Sequence, residues 1–153
     1  MFGHKEKKKN AELLAPIWLD DMRKARDVVN NTTDPDSFFT DYASLKDLAG
    51  KLTELSKYVK FKGTKPAEVL RMAQEQEEAA TRDFILRYFQ KTLLNAEKVK
   101  TVRGKRSQFE KFQTALEPYY YQMSAANVAL VQQLSPCPFQ KGGFPWRGQK
   151  RQS

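Results

Sequence analysis

Val102-Arg103-Gly104-Lys105-Arg106-Ser107-Gln108-Phe109-Glu110 is the stretch on which the reading of this chain turns. Gly104 stands where an incoming helix can stop, because glycine takes the left-handed conformation of a C′ position without steric cost. Ser107 and Glu110 have the spacing of a capping box. In that motif the serine hydroxyl accepts from the N–H three residues on, and the glutamate carboxylate reaches back to the serine N–H. A stop and a start this close predict a short connection at Val102–Ser107 between antiparallel helices.

Both flanks carry helical patterns. Downstream, Phe109, Phe112, Leu116, Tyr119, Met123, Ala126 and Leu130 alternate in threes and fours like a heptad seam. Pro118 falls inside that run, where proline typically costs about 3 kcal/mol. The seam keeps phase across it, so one kinked helix is expected. Upstream, Pro66 to about Val102 is rich in strong helix formers. Leu70, Ala73, Ala80, Phe84 and Tyr88 form a stripe, widened by Ile85, Phe89, Leu93 and Ala96. A single unbroken arm of roughly 55 Å is expected there.

Further upstream, Asp34-Pro35-Asp36 reads as a helix start, with Asp34 as cap and proline in the first turn. Phe38, Tyr42, Leu45, Leu48, Leu52, Leu55 and Val59 continue it to Lys62-Gly63. Gly50 within this helix suggests a close helix approach. A shorter helix is expected to begin at Pro16, with Ile17, Trp18, Met22, Ala25 and Val29 on one face. Residues 1–10, with Lys5, Lys7, Lys8 and Lys9, read as a frayed basic tail. Residues 135–153 read as a second tail, where Pro136, Pro138, Pro145, Gly142, Gly143 and Gly148 oppose regular structure. The expected fold is all-α: an elongated antiparallel hairpin or bundle of three long helices plus a short N-terminal helix, with coiled-coil-like packing. Residues 11–134 would form a single domain.

Composition agrees with a folded chain. Its 153 residues include 40% hydrophobic and 12% aromatic side chains, too many for wholesale disorder. No apolar run approaches the roughly 20 residues of a membrane span, and no hydrophobic signal core follows the basic N-terminus. Cys137 is the single cysteine, which excludes an internal disulfide framework and points to a reducing, cytoplasmic setting.

Catalytic chemistry finds few residues to work with. His4 is the only histidine, so neither a histidine base supported from elsewhere in the chain nor a multi-histidine metal site is expected. There is no phosphate-binding glycine loop and no nucleophile elbow. Glu75, Glu77 and Glu78 read as a solvated helix face. No catalytic residue, metal ligand or cofactor is therefore expected.

Binding is better supported. The net charge of +9 is uneven: from Arg103 to Ser153 there are eight basic residues against Glu110 and Glu117. Lys98, Lys100, Arg103, Lys105, Arg106 and Lys111 form a candidate basic patch at the turn. Phe144, Trp146, Arg147, Lys150 and Arg151 form a candidate motif in the C-terminal tail. Lys57-Tyr58-Val59-Lys60-Phe61-Lys62 interleaves lysines with aromatics, and of Tyr119-Tyr120-Tyr121 only one can face the seam. The expected function is a non-catalytic interaction or scaffold module that binds a protein partner or itself through helix faces. A nucleic-acid-binding accessory protein is the alternative, and an anionic membrane surface a third partner class.

Overall fold

The computed structural model describes residues 2–63 and 65–139, and every regular element in them is helical. The elements are α1 (Phe2–Asn31), α2 (Pro35–Leu55), α3 (Pro66–Glu75), α4 (Glu77–Lys98), α5 (Val102–Leu116), a 3-10 segment (Glu117–Gln122) and α6 (Ala125–Leu134). They divide into two compact units, Met1–Glu77 and Glu78–Ser153.

The first unit is built on α1 and α2. Asp34 caps α2 as its sequence predicts: Oδ2 accepts from the Ser37 N–H at 3.0 Å and from the Ser37 hydroxyl at 2.8 Å. The helix stops at Leu55, four residues before Val59. Its buried seam is Phe38, Tyr42, Leu45, Ala49 and Leu52. Ala49 thus takes the place expected of Leu48, and Leu48 is only half-buried. Space beside Gly50 is open, so that glycine marks no close approach.

Three expectations for the N-terminal region are corrected. The first helix is the longest in the chain, not a short one, and residues 2–10 belong to it. Pro16 lies inside α1 on its exposed side, where its ring meets solvent instead of a neighbour. Ala11, Ala15, Met22, Ala25 and Val29 form the buried face, while Ile17 points away and is 57% exposed. Small alanines bring the α1 backbone close to α2, and these two helices share an extensive contact. Trp18 is half-buried, with the Lys51 ammonium 5.3 Å from its ring centre. The third helix of this unit docks through the Tyr42 hydroxyl, which donates to the Ala73 carbonyl, and just beyond it Glu77 pairs with Lys46 at 2.9 Å.

The long arm expected from Pro66 to Val102 is two helices. Gln76 leaves helical geometry at φ −103° and ψ 10°, so α3 ends there and α4 starts at Glu77. No proline or glycine marks the spot, which is why composition reads straight through it.

In the second unit the connection expected at Val102–Ser107 falls earlier, at Val99–Thr101. Thr101 is the cap of α5, its hydroxyl oxygen accepting from the Gly104 N–H at 3.0 Å. Ser107 and Glu110 lie inside α5 and cap nothing. Gly104 lies inside α5 and takes no left-handed conformation, the only positive φ among the described glycines being at Gly63. What Gly104 supplies is room: a Cβ there would run into Val99 Cγ1 and come within 2.9 Å of the capping Thr101 oxygen.

Phe109, Phe112 and Leu116 are fully buried, each such side chain contributing roughly 1.5–3 kcal/mol. Phe112 meets Tyr88 at 5.3 Å and Phe89 at 5.6 Å between ring centres, and Phe109 meets Phe89 at 6.0 Å. The single kinked helix expected across Pro118 is also corrected. Pro118 falls in the first turn of the 3-10 segment, Met123 is extended, and Ser124 caps a separate α6 through the Asn127 N–H at 3.2 Å. The buried positions shift accordingly from Ala126 and Leu130 to Asn127 and Val131. The Asn127 amide is satisfied by donating to the Glu78 carbonyl at 3.1 Å.

Candidate functional site

The six residues of the basic patch separate into two roles. Lys105 turns inward. Its ammonium donates to the Ala96 carbonyl at 2.8 Å, an acceptor in the last turn of α4 that also takes the Val99 N–H at 3.1 Å. The same ammonium lies 4.8 Å from the Phe139 ring centre, and Phe139 packs on Phe109 at 6.2 Å. The spacing contained this role: Lys105, Phe109, Phe112 and Leu116 occupy one stripe of α5.

Lys98, Lys100, Arg103, Arg106 and Lys111 are exposed, and none makes an ion pair among the described residues. Arg103 and Lys111 lie on the side of α5 away from the buried stripe, together with Ser107, Glu110 and Thr114, and Arg106 lies at the flank of that side, three residues before Phe109. Arg106 and Glu110 are one turn apart yet unpaired. Beside them an open groove of about 480 Å³ is lined by Tyr88, Ser107, Glu110, Lys111, Thr114 and Ala115. Nothing in the sequence marks this groove, because Tyr88 arrives from a different helix.

Charge follows the division into units. Glu78–Ser153 holds thirteen basic and five acidic residues, a net +8. Met1–Glu77 holds fourteen and thirteen, a net +1.

The other candidates are dispersed. The tail motif Phe144, Trp146, Arg147, Lys150 and Arg151 lies outside the described residues. Lys57–Lys62 belongs to the first unit, where Tyr58 and Phe61 are half-buried. Lys57 pairs with Glu54 at 2.9 Å, and that hydrogen bond raises its pKa. The acidic run is also split: Glu75 pairs with Arg71, Glu77 with Lys46, and Glu78 accepts from the Ser124 hydroxyl. No three histidine, cysteine, aspartate or glutamate side chains gather as a cation site among the described residues. Of the three tyrosines, Tyr121 is the outward one at 81% exposure. The Tyr120 hydroxyl is enclosed without a hydrogen-bond partner, and burial pushes its pKa up, helped by Glu117. Cys137 donates to the Phe139 carbonyl at 3.2 Å. No described helix is long and apolar enough to cross a membrane. No protein-family model, curated protein or solved structure matches the chain.

Proposed function

We propose that this chain is a non-catalytic helical interaction module that binds a protein partner, a second copy of itself first among them, through outward helix faces. The observation that carries this reading is the pair Leu13 and Ile17. They lie one turn apart on α1, opposite its buried alanines, and are 64% and 57% exposed. Apolar side chains adjacent on a solvent face are what a helix–helix interface buries. Sedimentation velocity over a wide concentration range tests it, comparing the wild type with a Leu13→Glu, Ile17→Glu variant. Self-association that the variant loses, with its helical circular dichroism unchanged, supports the reading. A chain that neither self-associates nor captures a partner through this face overturns it.

A second reading is binding to nucleic acid by the second unit. It is favoured by the concentration of +8 there and by five exposed cations that make no ion pair among the described residues. Phosphate backbones release counterions when such side chains neutralise them, so affinity should fall steeply with salt.

A further inference from the structure

We propose that the outer face of α5 binds single-stranded nucleic acid. Phosphates sit on Arg103, Arg106 and Lys111, and one base bearing an exocyclic amine enters the groove between Tyr88 and Glu110. This inference rests on the nucleic-acid reading above and adds to it the strand form and the base chemistry.

Three observations lead to it. First, arginine contributes two of the three cations on this face, and its planar fork matches phosphate oxygens in pairs. The nearby apolar residue Val102 is only 36% exposed. The face therefore lacks the large apolar side chains by which a helix enters a lipid surface, although its charge suits one.

Second, the groove opens on the outer side of α5 with Lys111 in its wall, and Arg103 and Arg106 lie one to two turns before it along the helix. Bases in a duplex are stacked and paired, so they are not free to enter a side pocket. The bases of a single strand are splayed and settle on aromatic rings. Tyr88 supplies an aromatic ring to the groove lining, its ring centre 5.3 Å from that of Phe112 and 6.1 Å from that of Phe84. Ser107 and Thr114 add hydroxyls that both donate and accept.

Third, Glu110 is out of place on a surface that binds phosphate alone. It is exposed among Arg103, Arg106 and Lys111, it repels phosphate, and it does not neutralise Arg106 one turn away. An ionised carboxylate only accepts hydrogen bonds. At the mouth of a groove beside an aromatic ring, it matches the amine of cytosine or adenine, and thymine has no such amine.

Fluorescence anisotropy of the full chain at low salt tests this. The probes are labelled oligo-deoxycytidine, oligo-deoxyadenosine and oligo-deoxythymidine, a duplex of equal length, and vesicles containing anionic lipid. The expected result is tightest binding to the cytidine and adenosine strands, about tenfold over thymidine for one hydrogen bond to a charged group. Reversing Arg103 and Arg106 to glutamate should abolish binding to every strand. With three phosphates neutralised, log affinity should fall against log salt with a slope of about −2.

The Glu110→Ala variant decides the base contact. Attraction of phosphate alone predicts tighter binding to all strands once the negative charge is gone. The proposal predicts weaker binding to cytidine and adenosine strands and unchanged or tighter binding to thymidine. If every strand tightens equally, or the duplex binds as well as the single strands, this inference fails while the nucleic-acid reading stands. If no nucleic acid binds at low salt, or only the vesicles do, both fail together.

Discussion

The Lys105 ammonium donates to the Ala96 carbonyl oxygen at 2.8 Å, so the first turns of α5 close the end of α4. A hydrogen bond to a charged donor typically contributes about 2 kcal/mol, and the Phe139 ring beneath the ammonium adds to it. Lys105→Met keeps the length and apolar stem of the side chain. It should lower stability by about 2 kcal/mol in urea unfolding. A variant as stable as the wild type would show that the exposed alternative, a solvated lysine, costs nothing.

Gly104→Ala should reverse the usual sign of that substitution. Alanine in a helix gains about 1 kcal/mol over glycine. Here the added methyl meets Val99 Cγ1 and the Thr101 oxygen that caps α5, both on short side chains. Overpacking of this kind costs roughly 1–3 kcal/mol. The expected outcome is a lower midpoint in thermal unfolding, and an increase would count against the packing described.

Asp34 holds two donors of Ser37 at once, at 3.0 and 2.8 Å. Asp34→Ala should destabilise by about 1–2 kcal/mol, and Asp34→Asn by less, because the amide oxygen still accepts. Equal losses in chemical denaturation would mean that the carboxylate charge at the helix start matters more than the cap.

Tyr42 makes stability sensitive to alkali. Burial first, and then the Glu77 carboxylate, push its phenol from 10.0 up to about 12. The folded state thus binds the proton more tightly than the unfolded state. The resulting stability is present in full below about pH 10 and is lost as pH rises through about 12. Tyr42→Phe should be less stable at neutral pH, by roughly 1 kcal/mol for the hydrogen bond to Ala73. The gap should narrow between pH 10 and pH 12. A constant gap would place the shifted proton elsewhere.

Helical class, the Asp34 cap and the buried Phe109–Phe112–Leu116 stripe were legible because each depends on residues within one or two turns. Gln76 was not, since nothing in its own chemistry breaks a helix and its neighbours on both sides are strong helix formers. Gly104 was misread for a related reason. Glycine at the end of a helical pattern suggests a left-handed stop, but Thr101 captures the helix start first and leaves Gly104 three residues inside. Of the candidate site, the exposed cations could be named from charge alone. The inward turn of Lys105 required its position on the apolar stripe to outweigh its charge. The groove required a second helix.

Gly104 is constrained by Val99 and Thr101 and not by its own backbone angles. Its identity is therefore conditional on theirs. In divergent forms of this chain, residues 99 and 104 should covary, a larger group at 104 being admitted only where 99 has become smaller. Selection acting on this corner would see a pair of positions, and either one scored alone would look freer than it is.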